Sequence, residues 1–314
     1  MRLRLRRRHL RLLGAVLIAA IALPVLLRFP WSAVWAVLLH ADGGLLAAAL
    51  AINLVSLVAK GWAWHLLLRP VAPSRWRTTQ EANLVGAAVN NASVSIVGEA
   101  ARVHYVVVRG GISPQIAAAS IAWARGVEAL ALAIFLIVAP GLLHLPPLAH
   151  GLQAAAGFLL VSAVILVWSG RLLRLSRRIP LRLRTAIAAL AAIGSPSRLV
   201  LPIALGLVNW GAQWATYHGT LLAVHVPATL AASYAALIAA NVGGLLRISP
   251  GNIGVTQAAL VLALLPFGVS PHHAVAAGVA LQAIQILPVS AMGIALVGWR
   301  GISIARARPA RSGA

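Results

Sequence analysis

Six apolar runs of helix-crossing length are spaced along the chain, at residues 10–28, 44–69, 115–139, 152–170, 198–222 and 272–298. A bilayer crossing takes about 20 predominantly apolar residues, more when tilted, so each run predicts one transmembrane helix. Between the second and third runs, residues 82–110 form two shorter apolar pieces broken from Asn90-Asn91 to Gly98. Between the fifth and sixth, residues 231–267 do the same around Ser249-Pro250-Gly251-Asn252. These pieces predict re-entrant hairpins or broken helices, because irregular backbone at membrane depth survives only where protein buries it or water lines it. The pattern therefore predicts an all-α polytopic membrane protein, with about six full transmembrane helices plus two re-entrant hairpins.

The two interrupted regions share their wording. Asn83 precedes Glu99-Ala100-Ala101 by sixteen residues, and Asn241 precedes Gln257-Ala258-Ala259 by the same sixteen. Gly111-Ile112-Ser113-Pro114 is echoed by Gly268-Val269-Ser270-Pro271, and Arg125-x-x-Glu128 aligns with Gln282-x-x-Gln285. Each copy has an odd number of crossings, so an inverted repeat is expected. Duplicated, Gly/Pro-interrupted segments point to a site at the repeat interface.

Composition agrees with the environment: 61% of residues are hydrophobic, 10% are charged and the mean hydropathy is +0.91, too little polar surface for a soluble chain of 314 residues. The formal charge of +22 does not signal nucleic acid here, because the arginines fall in blocks beside apolar runs. With no cysteine and no metal-ligand spacing among the histidines, neither disulfides nor a metal or other cofactor is expected.

The arginine blocks predict orientation. They lie within residues 2–11, 69–77, 171–184 and 300–311, and the positive-inside rule places all four in the cytoplasm. Both termini are then cytoplasmic in a multi-pass protein of the cell membrane. The loops at 29–43, 140–151 and 223–230 fall outside, the first carrying Asp42 with Trp31 and Trp35 in an interfacial belt. The expected organisation is a basic tail at 1–9, a first repeat at 10–139 and a segment 140–197 containing the span 152–170. Within that segment, residues 171–194 form a basic interfacial linker. The rest of the second repeat follows at 198–298 and a basic tail at 299–314. The basic start followed by an apolar run also matches a signal peptide, but no clean cleavage site follows, so a retained anchor is expected.

Charge inside the spans is the candidate chemistry. Glu99 and Glu128 lie deep in apolar sequence, where a charge costs at least ~2.5–3.5 kcal/mol on insertion scales, so such groups pair or face a polar cavity. The i, i+3 spacings predict Arg125–Glu128 and Glu99–Arg102 pairs. Such pairs either fix helix register or present Arg102 and Arg125 to a lipid phosphate, for which the guanidinium fork is suited. Lys60, nine residues before Arg69, sits about 13 Å inside its span, too deep for easy snorkelling. In the second hairpin, Pro250, Gly251 and Asn252 break the helix, and a new helix starting near Ile253 would offer free N–H groups to an anionic headgroup, unless the break serves packing alone. Asn83 and Asn241 are expected to cap or bridge helices, and Gln282 and Gln285 to bond between helices.

The segments Gly98-Glu99-Ala100-Ala101-Arg102, Arg109-Gly110-Gly111-Ile112-Ser113 and Arg125-x-x-Glu128 resemble the first signature of the lysylphosphatidylglycerol synthetase transmembrane-region, or flippase-like, family. The run from Ser249 to Ala259 resembles its second. The family's usual Pro-Gly-Gly-x-Gly-x-x-Glu departs here at Asn252 and at Gln257, which removes a charge, and its usual Arg-x-x-Asp ends in Glu128. The resemblance implies translocation of lipids, either aminoacyl-phospholipids or polyprenyl- and isoprenoid-linked species. Together with the buried charges, the helix break and the duplicated segments, this makes Glu99, Arg102, Arg125, Glu128, Lys60, Asn83, Asn241, Pro250, Gly251, Asn252 and Gln257 the candidate substrate-binding residues. The expected partners are membrane lipids with an anionic or aminoacylated headgroup or a polyprenyl phosphate, and a separate synthase or glycosyltransferase. The alternative is a membrane-embedded accessory subunit or transferase in lipid or envelope glycoconjugate synthesis. No nucleophile-base arrangement stands out within the spans, so an enzyme is not expected.

Overall fold

The computed structural model describes residues 29–93, 97–143, 157, 193, 195–246 and 249–299. The expected spans 10–28 and 152–170, the linker 171–194 and the tails 1–9 and 299–314 lie outside the described residues, apart from isolated positions and Trp299. The helices run in order α1 (Trp31–Leu39), α2 (Gly43–Leu68), α3 (Trp76–Ala92), α4 (Val97–Gly110), α5 (Pro114–Leu143), α6 (Pro196–Ala223), α7 (Leu230–Gly244), α8 (Val255–Leu264) and α9 (Pro271–Trp299). Short 3-10 turns at Pro250–Asn252 and Leu265–Phe267 flank α8. The protein is thus an all-α polytopic membrane protein.

Four of the expected spans coincide with α2, α5, α6 and α9, each long and apolar enough to cross a membrane. Pro250–Phe267 also meets that length and composition. It is not one straight helix, however, because Gly251 (φ 59°), Asn252 (φ 54°) and Gly254 (φ 86°) adopt left-handed backbone that an α-helix cannot absorb. The stretch 29–43, expected as a loop, contains α1. Its buried Val34 joins Val275 and Ala276 of α9 in a small cluster, so packing orders it, while Trp31 and Trp35 stay exposed.

Local chemistry sets the helix starts. The Asp42 carboxylate accepts the Leu45 N–H at 3.0 Å to cap α2, and the Thr229 hydroxyl accepts the Ala232 N–H at 3.1 Å to cap α7. The Asn90 side chain accepts the Gly98 N–H at 3.0 Å, so the first arm of the α3–α4 hairpin caps the second. Gly86 and Gly98 let these arms touch: a Cβ on Gly98 would strike the Gly86 carbonyl and the Asn90 side chain.

The ends of the elements define two faces. Asp42 N–H donates to the Ala223 carbonyl at 2.8 Å, and His225 Nε2 bonds the His40 carbonyl at 2.8 Å, so the 29–43 and 223–230 segments share one end. At the other end, Leu67 and Leu68 cluster with Ile112, Ile193 and Leu199. Helices α2 and α6 therefore run antiparallel along a full-length seam, where Ala49 meets Gly219. The α3–α4 hairpin starts and finishes at the Leu68 end, with Gly110 beside Thr78. The α7–α8 pair belongs to the opposite end, where Leu237, Leu260 and Leu264 join Val224 and Val226. The two hairpin tips meet between these ends, since a Cβ on Gly251 would lie 3.5 Å from the Asn91 carbonyl oxygen. Large apolar side chains such as Leu262 (73% exposed) and Ile294 (70%) face outward, as a lipid-facing surface requires.

Candidate functional site

Five charged side chains from three helices form one continuous chain of ion pairs. Lys60 Nζ on α2 lies 3.2 Å from Glu128 Oε1, and Arg125 Nη1 on α5 lies 2.6 Å from Glu128 Oε2. Arg125 also bonds Glu99 on α4 through its other terminal nitrogen, and Arg102 Nη1 lies 3.2 Å from Glu99 Oε2. Both i, i+3 pairs expected from spacing form. The links across helices, Arg125–Glu99 and Lys60–Glu128, depend on tertiary packing and carry no sequence signal. Each carboxylate serves two cations, so the chain of three cations and two anions keeps one net positive charge.

Arg102 anchors the inner end. Its guanidinium carbon lies 4.4 Å from the Trp64 ring centre, a cation–π contact, and Trp64 is fixed by donating Nε1–H to Ser120 Oγ at 3.0 Å. A Cβ on Gly86 would occupy the space of the Arg102 side-chain methylenes, so this glycine makes room for the arginine. Arg102 is 2% exposed, and among the described residues its Nε and Nη2 meet no acceptor.

The outer end opens on a cavity of about 540 Å³ where the hairpin tips meet. That falls within the roughly 300–1,000 Å³ typical of small-molecule sites. Lys60, Arg125 and Glu128 line one wall, and Asn241, Gly251 and Asn252 reach it from the second hairpin. Glu99 and Arg102, expected on the cavity, sit behind its wall, because stacking on Trp64 draws Arg102 into the α2–α4–α5 core. Asn83 is also set back: its amide donates to the Leu57 carbonyl at 3.4 Å and ties α3 to α2. Pro250 and Gln257 are not on the wall either.

The helix expected near Ile253 begins at Val255, and the three N–H groups just before it are already bonded. Gln257 Oε1 accepts the Gly254 N–H at 2.7 Å, while the Asn252 and Ile253 N–H groups bond the Ser249 and Pro250 carbonyls. Gln257 then donates to Gln282 Oε1 at 2.7 Å, and Gln282 donates to the Gly251 carbonyl at 2.9 Å and Thr256 Oγ1 at 3.2 Å. Gln282 does bond between elements as expected, and it and Gln285 also line the cavity. Asn90, Asn91, Asn209, Gln213 and Tyr217 add to the polar lining and were missed. Asn209, Gln213 and Tyr217 follow i, i+4, i+8 spacing, one polar stripe on α6 that was readable within its apolar run.

Among the described residues no group of three or more histidine, cysteine or acidic side chains could hold a metal. The fold and site define a multi-pass membrane protein whose intramembrane ion chain opens on a polar cavity. The family model described as the lysylphosphatidylglycerol synthase TM region matches residues 11–293, and the chain belongs to that family. No curated protein matches the chain.

Proposed function

We propose that the protein is a flippase-like transporter that moves a phosphate-bearing lipid across the cell membrane. The observation that carries this reading is the net-positive ion chain opening on a cavity where two hairpin tips meet. Arg125 spends one nitrogen on each carboxylate and keeps further N–H donors, and Lys60 has three donors of which one ion pair is formed. Both line the cavity and suit a phosphate, Arg125 by its fork and Lys60 as a point charge. In this reading the two halves are inverted copies, their hairpins re-enter the membrane from opposite sides, both termini are cytoplasmic, and the site alternates its access.

The test is headgroup-resolved lipid scrambling in proteoliposomes by wild type and Arg125→Ala. Translocation by wild type, lost at least roughly tenfold in a variant that stays folded, is the expected result, because the phosphate loses a charge-assisted fork. No translocation of any phosphate lipid by folded wild type would sink the transport reading in favour of an accessory subunit.

A further inference from the structure

Resting on that reading, we infer that the headgroup is an uncharged polyol joined to the phosphate, and that the site rejects cationic aminoacyl lipids. The wall facing the ion chain is built of amides: Asn90, Asn91, Asn209, Gln213, Asn241 and Gln285. Asn90 gives its oxygen to the Gly98 N–H, Asn241 gives its nitrogen to the Leu237 carbonyl, and Asn209 and Gln213 bond each other. Among the described residues each leaves its other end without a hydrogen-bond partner, and the Asn91 side chain makes no hydrogen bond. Free amide ends of both polarities match hydroxyl groups, which donate and accept alike.

A lysyl ammonium needs an anion instead. Glu128 is the only carboxylate on the cavity wall, and Lys60 and Arg125 already hold it; Glu99 lies behind, held by Arg102 and Arg125. The positions matching Glu99, Arg125 and Glu128 in the second copy are Gln257, Gln282 and Gln285. Among the described residues that half of the cavity therefore adds hydrogen bonds without charge, and a second cation would enter a site already net positive and partly desolvated, where like charges repel most.

Two single-variable comparisons test this on the purified full chain, reading lipid retention by native mass spectrometry and scrambling in parallel. Phosphatidylglycerol against lysyl-phosphatidylglycerol isolates the cation. Phosphatidylinositol against phosphatidylmethanol isolates the polyol at constant phosphodiester charge, and a polyprenyl phosphosugar against a polyprenyl methyl phosphate repeats that comparison on the other lipid source. The polyol member of each pair is expected to bind roughly tenfold better, the scale of one or two added hydrogen bonds, and lysyl-phosphatidylglycerol at least tenfold worse than its parent. Gln285→Glu, which adds a carboxylate to the amide wall beside the Tyr217 hydroxyl, is expected to narrow the lysyl discrimination. Equal retention within the pairs, or preference for the lysyl lipid by wild type, overturns the inference even if scrambling occurs. Selective retention without scrambling leaves the inference standing and overturns transport.

Discussion

Arg102 keeps a full charge at 2% exposure with a single carboxylate in bonding reach, so Glu99 is what makes that burial tolerable. Glu99→Gln removes the anion that both Arg102 and Arg125 share, and breaking a buried pair from one side costs about 3–5 kcal/mol. Thermal unfolding in detergent is expected to show that loss, and the double variant Glu99→Gln/Arg102→Met is expected to recover part of it, because no unpaired charge remains. A double variant no more stable than the single would mean Arg102 is not held by Glu99. These charges stood out in the sequence because charge in apolar sequence is costly. Their order along the ion chain did not, since Lys60 and Glu128 are brought together only by α2 packing on α5.

The hairpin arms depend on backbone proximity more than on side-chain fit. Gly98→Ala drives a methyl into the Gly86 carbonyl and the Asn90 cap, and backbone cannot yield as a flexible side chain can, so about 1–3 kcal/mol of stability should be lost. Gly126→Ala on α5 meets nothing within 4 Å and should be neutral or stabilising by up to ~1 kcal/mol, the gain of alanine over glycine in a helix. Unfolding midpoints of the two variants moving together would refute the close contact of α3 and α4. The broken character of 82–110 and 231–267 was legible from Asn90-Asn91 and Pro250-Gly251-Asn252. The α1 helix was not, because its few turns are ordered by Val275 and Ala276, some 240 residues away. The capping of Gly254 by Gln257 was also hidden, since spacing alone does not tell which way a side chain bonds.

At the scale of the molecule, apolar run length located the four long helices that the structure describes, while the meeting of the hairpin tips required knowing which end each hairpin starts from. The seam between α2 and α6 has a mechanical consequence. One helix comes from each half, and they are joined from the Asp42–Ala223 bond at one end to the Leu68–Leu199 cluster at the other. Such a seam acts as a keel that holds the two helices together, and under the transport proposed above any gate then lies in the hairpins and the lipid enters from the side away from the seam. Ala49 and Gly219 offer the test, because a Cβ on Gly219 would lie 3.6 Å from that of Ala49, within the span of a disulfide. In a chain with no native cysteine, oxidised Ala49→Cys/Gly219→Cys is expected to translocate lipid as its reduced form does. Arrest on oxidation would show instead that the keel is the hinge.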